Sequence, residues 1–444
     1  MTTVMHEDRQ QHLIACRAAV DHARQGKLPQ QLSLALIDLG AALFKTRVFD
    51  QGVEALDEAE KLAASLDDLS FLAHCLGLKA AVYQEAGRFH NAFEIIERIV
   101  DLAQAQADQG MECDALITQG QILANSGDPI AALNIVEAAR ALANEISDKR
   151  HLMKVFGVLG DIETSRAAFE SAQTYFEMAT AWANNLGESR PECGYLLNLG
   201  TVFVWQGLFS QALQVFERVL IVARDSGEQD AELTALQHTI QCLHKLKMPD
   251  RIVSLAHQGI ALSQGLARYE SAFLFFESAA LTYHQLGEHA EALDVLHNAI
   301  EYAQTIGDRN YEANMLLHLG ESYLAMEQYD QALEPLEAVS SVLQELEREV
   351  DKAHVVGRIG VALAESGRID EAIPYHLHAV DLSRQHKIRA LEAEQLTMLA
   401  LAYHEQNNRK RAQECSQEAA EIFSSIGLET EASRAHQLLA EVSA

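Results

Sequence analysis

Apolar residues recur along this chain at helical spacing, and the pattern repeats every forty residues. Four residues before each multiple of forty stand Leu36, Leu76, Leu116, Phe156, Leu196, Leu236, Phe276, Leu316, Val356 and Leu396. Three residues after it stand Leu43, Tyr83, Leu123, Phe203, Leu243, Tyr283, Tyr323, Leu363 and Tyr403, with Glu163 the exception. Those two offsets place both columns on one helix face. At the multiples themselves the chain reads Gly40, Ala80, Gly120, Gly160, Gly200, Ile240, Ala280, Gly320, Gly360 and Ala400. Twelve residues later a second small column runs from Gly52 and Ala92 to Ala412, broken only by Ile252. Between them lies a turn column of Gly87, Gly127, Gly207, Gly287 and Gly367, with Ala167, Lys247, Glu327 and Asn407 in other slots.

Small residues at two fixed points let antiparallel helices approach closely, and a glycine between them closes the first helix. Each forty-residue unit is therefore predicted to be a helical hairpin, and ten units run from about residue 28 to 428. Residues 1–27 are expected to hold an N-terminal capping helix (6–26, with Leu13, Cys16, Val20 and Ala23 on its apolar side). Residues 429–444, with Leu438, Leu439 and Val442, are expected to close the other end. An array in which each unit packs only on its neighbours explains how 444 residues avoid needing one large core.

The segment LLNLGTVFVWQGLFSQALQVFERVL (196–220) resembles the tetratricopeptide repeat, with its Leu, Gly, aromatic, Gly, aromatic, Ala and Phe at set spacings. ALDVLHNAI and the LGE and IGD linkers fit the same pattern. The forty-residue period is similar to that of kinesin light chains, Pins-type polarity proteins and the sensor domain of the maltose regulator, and the extra length suggests a longer second helix and linker. The resemblance implies an all-α, right-handed superhelical solenoid whose inner face is lined by the first helices. It also implies a non-catalytic scaffold that holds a protein or peptide segment in that groove. In those relatives an Asn two residues before the small column grips peptide backbone; here only Asn198 matches.

Two units depart from the pattern. Glu163 stands where an aromatic or Leu belongs. In the sixth unit Ile240 and Ile252 fill both small slots, Lys247 replaces the turn glycine and Pro249 opens the next helix. Two isoleucines there should force the hairpin apart, giving either a bend near 235–260 or a local repacking. Pro335 and Pro374 fall inside second helices and should bend them slightly.

Composition narrows the functions. The chain has 34 Lys and Arg against 64 Asp and Glu, a formal net charge of -30. That argues against neutralising nucleic-acid phosphates or docking on anionic lipid, and favours basic partners. Six widely spaced cysteines fit neither a disulfide framework nor a zinc site. The N-terminus lacks the look of a secretory signal and no long apolar run occurs, so a cytoplasmic location and no membrane insertion are expected. No H-E-x-x-H, P-loop or dinucleotide motif appears, and Gly357-Arg358-Ile359-Gly360 reads as helix packing, so neither an enzyme nor a cofactor is expected.

The inner-face columns, six, three and two residues before each multiple of forty and one, four and five after it, show acidity in proportion to the whole chain. They are richer in histidine: His74, His238, His244, His284, His318, His354 and His404 are seven of the chain's 19. Most fall in the last five units, beside Gln237, Gln241, Gln285 and Asn314. The expected binding groove therefore comprises Asn198, Thr201, Trp205, Gln237, His238, Gln241, His244, Glu277, His284, His318, Glu321, Arg358 and His404. Trp205 is its aromatic anchor, and Trp182, on a second helix, reads as packing. A polar, titratable lining suits a peptide or a small polar ligand. Two other classes stay open beside the scaffold: a ligand- or peptide-sensing regulatory module, and a self-assembling subunit such as a homodimer.

Overall fold

A computed structural model describes residues 2–26, 29–66 and 69–443, and all regular structure among them is helical. The helices fall into two compact units, residues up to 251 with 262–267, and residues 252–261 with 268–444. The first begins with α1 (Thr2–Gly26) and continues as hairpins of α2 (Pro29–Lys45) with α3 (Phe49–Ser65), and α4 (Leu69–Glu85) with α5 (Phe89–Gln106). Then follow α6 (Gln109–Asn125) with α7 (Pro129–Glu145), α8 (Lys149–Ser165) with α9 (Phe169–Leu186), α10 (Ser189–Trp205) with α11 (Phe209–Ser226), and α12 (Gln229–Leu246). The boundary between the units runs through α13 (Ile252–Gly265), the second helix of the irregular sixth hairpin. The second unit continues with α14 (Tyr269–Leu286) and α15 (His289–Ile306), α16 (Arg309–Ala325) and α17 (Tyr329–Glu345), and α18 (Glu349–Glu365) and α19 (Ile369–Gln385). It ends with α20 (Arg389–Glu405), α21 (Arg409–Ser425) and α22 (Glu429–Ser443).

Both helices of a hairpin have 17 or 18 residues, α13 with its 14 apart. The second helices α5, α9 and α11 exceed their partners by one residue and the others do not, so the added length is shared by both helices of a unit. A second turn column, which mixes Gly187, Gly227, Gly307 and Gly427 with other residues, closes the second helices as the first column closes the first. Left-handed residues recur every twenty positions, at Gly87, Ala107, Gly127, Ser147, Ala167, Gly187, Gly207, Gly227 and onward. Each ends a helix the same way. After Gly207 (φ 74°) the amide of Leu208 donates to the carbonyl of Phe203 at 2.8 Å, and the next helix starts at Phe209.

The small column works as a socket. At Gly200 an added Cβ would lie 2.4 Å from Cε1 of Phe216, so the second helix inserts its ring where any side chain at 200 would stand. Leu56, Val136, Phe176 and Leu336 fill the corresponding sockets at Gly40, Gly120, Gly160 and Gly320. Most of these knobs are fully buried, and burying such a side chain is worth about 1.5–3 kcal/mol. In the sixth hairpin the sizes are exchanged: Ala256 occupies the knob column while Ile240 occupies the socket column, and both are buried. Glu163, the other irregularity, is buried and held by Arg166 Nη1 at 2.9 Å and 3.0 Å.

Successive hairpins are also joined by buried carboxylates. Glu192, Glu312 and Glu392 begin first helices and accept from Asn184 (3.2 Å), Gln304 (2.9 Å) and Arg384 (2.8 Å) at the end of the preceding second helix. Arg218, Arg309 and Arg389 supply the second charge-assisted partner in each case, as a buried carboxylate requires. At the ends, α1 packs on α2, with Cys16, Val20 and Ala23 buried, and α22 packs on α21 through Ala432, Ala435 and Leu438. Val442 lies outside the described side chains. All six cysteines are free, and only Cys415 is not fully buried.

Candidate functional site

The first helices carry the columns from which a binding face was expected, and each unit presents its own stretch of it. In the first unit α6, α8 and α10 enclose a cavity of about 430 Å³. Its floor is open because Gly157 contributes no side chain. Tyr195, from the next hairpin, leans over that glycine, with Cε1 2.3 Å from where a Cβ would be. Lys154 Nζ bridges to Asp114 Oδ1 at 2.8 Å, a pair that neutralises itself. Asp161, one turn beyond Gly157, receives Asn198 Nδ2 on Oδ1 at 3.0 Å, and among the described residues no cation pairs with it. Its side chain can be reached by solvent, yet the surrounding helices strip enough water to hold its carboxyl up at about 6. The same enclosure, and the charge of Asp161, push the Tyr195 hydroxyl up to about 12.

Asn198 thus meets a carboxylate of its neighbouring repeat rather than standing free. Thr201 turns back on its own helix, its hydroxyl donating to the Leu197 carbonyl at 2.9 Å. Trp205 is 59% exposed, its ring resting against Phe169 with centroids 6.3 Å apart. His238 is half-buried and stacked on Phe216 at 4.9 Å, while Gln237 is half-buried and Gln241 exposed. Burial holds the His244 imidazole below its ordinary range. Trp182 is half-buried with Lys149 over its ring, as packing would have it.

In the second unit the expected residues pair across neighbouring repeats. His284 Nε2 lies 2.8 Å from Ser322 Oγ, and its Nδ1 lies 3.1 Å from His289 Nδ1. Burial first, and then the charge of His289, lower the His284 pKa. His318 faces Glu277 at 3.8 Å and Arg358 faces Glu321 at 3.6 Å, while His404 is exposed. On the same face of α14, Leu274 and Leu281 are 57% and 53% exposed, two apolar side chains that the histidine pattern did not point to. Asp114, Lys154 and Asp161 fall in the inner-face columns but were not among the expected site residues, and Tyr195 lies outside those columns; the signal for them was Gly157 in a column that holds Ile117 and Leu197 on either side. Among the described residues no three His, Cys, Asp or Glu side chains converge as a metal site would need. No described helix is long and apolar enough to cross a membrane.

Comparison with known proteins agrees with this architecture. Residues 277–345 match the tetratricopeptide repeat family, and residues 3–86 and 77–165 match the family of anaphase-promoting complex subunit 5. Over 132 residues the chain is 29% identical to tetratricopeptide repeat protein 29 of Homo sapiens, covering 30% of this chain and 28% of that protein. The chain therefore spans well under half the length of the curated relatives it matches. The fold is similar to that of a STAND signal-transduction ATPase with a tetratricopeptide repeat sensor from Pyrococcus horikoshii. There the TM-score is 0.52 at 13% identity, over 78% of this chain and 55% of the other. It is similar also to the apo form of RapI, with a TM-score of 0.51 at 13% identity, over 80% of this chain and 98% of the other. Paired helices in forty-residue units, six of them socketed on glycine, together with the family match at residues 277–345, give the chain the architecture of a tetratricopeptide-repeat array.

Proposed function

We propose that this chain is a scaffold that binds a segment of another protein along the faces of its first helices. Tetratricopeptide-repeat proteins generally mediate protein–protein interactions, and the reading here is carried by one observation. The polar first-helix faces keep large apolar side chains accessible, Trp205 in the first unit and Leu274 and Leu281 in the second. Such residues are what an interface uses as anchors once a partner excludes water around them. Inter-repeat pairs such as Asp161 with Asn198 and Glu277 with His318 fix the polar background against which those anchors are read. The role assigned is binding without a catalytic step.

A photo-crosslinking amino acid placed at exposed Gln121 or Gln241 on first helices, or at exposed Gln211 on a second helix, tests it in a lysate of the source cells. The expected result is one partner crosslinked from the first-helix positions, lost with Trp205→Ala, Leu274→Ala and Leu281→Ala together. Crosslinks from the second-helix position alone would overturn the reading. Crosslinks to a second copy of the chain would replace it with self-assembly. An absence of crosslinks from every position would transfer the case to a small-ligand sensor.

A further inference from the structure

The cavity between α6, α8 and α10 has a chemical bias of its own. Its one cation, Lys154, is already satisfied by Asp114 at 2.8 Å. Its other carboxylate, Asp161, has a single neutral donor, Asn198, on one oxygen and, among the described residues, no charged partner. Thr118 spends its proton on the Asp114 carbonyl at 2.9 Å, so toward the cavity its hydroxyl can only accept. The Tyr195 ring adds an aromatic wall that cannot be displaced by a side chain at 157, because none is there. One uncompensated negative charge beside an aromatic wall, with Gln121 able to donate or accept, disfavours an anionic occupant. This setting calls for a flat cation rich in donors.

We infer that this cavity receives an arginine side chain of the bound segment, its guanidinium paired with Asp161 and lying against the Tyr195 ring. This rests on the reading that the first-helix face binds a protein segment. Guanidinium suits the site better than ammonium, since it presents five donors in a plane and stacks on aromatic faces. The volume, about 430 Å³, accommodates one long side chain with its adjoining backbone. Arginine brings a cation to a carboxylate that the fold has left without one. Asp161 stays open to solvent, so an incoming guanidinium can reach it.

The test is a titration with N-acetyl-arginine methylamide and its uncharged citrulline counterpart, followed through ¹³C-labelled tyrosine rings. The arginine compound is expected to shift the Tyr195 resonance saturably, with affinity about tenfold weaker in Asp161→Asn, the order of one charge-assisted contact. Citrulline should leave the resonance in place. No saturable shift with arginine, an equal shift with citrulline, or an Asp161→Asn protein that binds as wild type would each overturn the inference. If Asp161→Asn does not fold, the arginine and citrulline comparison on the unaltered chain decides. Loss of the arginine effect while the partner still crosslinks from Gln121 would sink this assignment and leave the scaffold reading standing.

Discussion

His376 and Gln395 meet in the core of the second unit, imidazole Nδ1 2.7 Å from the amide oxygen. An amide oxygen can only accept, so Nδ1 carries the proton and donates. His376 occupies the knob column that is apolar in most other hairpins, with its ring in the socket at Gly360, and Gln395 lies in the space left by Gly357. Burial holds this histidine below its ordinary pKa, which means the folded state prefers the neutral ring. The unfolded chain binds the proton more readily, so the stability that depends on the neutral ring is present above about pH 6.5 and is lost as pH falls below it. Urea unfolding at pH 7.5 and 5.5 should show wild type losing more stability on acidification than His376→Leu/Gln395→Leu. Equal losses would mean that this pair does not sense pH.

The socket column predicts opposite outcomes for two glycines of one helix. Gly200→Ala drives a methyl to within 2.4 Å of the Phe216 ring and should destabilise by about 1–3 kcal/mol, the range for overpacking a core. Gly194, also in α10, has open space around its missing side chain. Gly194→Ala should stabilise by about 0.5–1 kcal/mol through helix propensity alone. Chemical denaturation of both reads the difference. A mild effect at 200 would show that the hairpin can open to admit a side chain.

The turns carry a third prediction. Ala167 sits at φ 57°, a left-handed conformation in which its methyl crowds the following carbonyl. Removing that strain in Ala167→Gly should stabilise by about 1 kcal/mol, offset slightly by the greater freedom of glycine in the unfolded chain. Ala107 and Ala267, at φ 55° and 54°, should behave alike. A melting temperature unchanged in all three would mean that neighbouring contacts relieve the strain.

Much of this fold could be read from the sequence because its commonest signal is a residue type at a fixed spacing. Gly200 and Phe203 announce a first helix, and Ala212 and Phe216 the helix that packs on it. What escaped reading had no such type. The second turn column mixes Gly187 and Gly307 with Ala107, Ser147 and Glu347, and these last three do not advertise a left-handed residue. Glu192, Glu312 and Glu392 read as solvated charges because apolar periodicity gives no sign that an Asn, Gln or Arg eight residues earlier will bury them. The expected groove was assembled from side chains that are present, five of them histidines. The cavity of the first unit arises from one that is absent, at Gly157, and from Tyr195 lying one position outside the inner-face columns.

Asp161 offers a way to separate what the groove does from what holds the chain together. A carboxyl with a raised pKa adds stability at low pH, and that contribution is lost as pH rises through about 6. At pH 7.5 the ionised form is therefore a net burden on the folded state. Because the side chain is open to solvent, screening limits the burden to about 1 kcal/mol. Asp161→Asn keeps an oxygen for the Asn198 amide and removes the charge. The variant should be more stable than wild type by about 1 kcal/mol at pH 7.5, with a smaller gain at pH 5.5, by urea unfolding at both values. A gain in stability coupled to loss of arginine binding would mark the carboxylate as retained for its ligand at the expense of the fold. A variant weaker than wild type at both pH values would make Asp161 a structural link between repeats instead, with its bond to Asn198 as the reason for its presence.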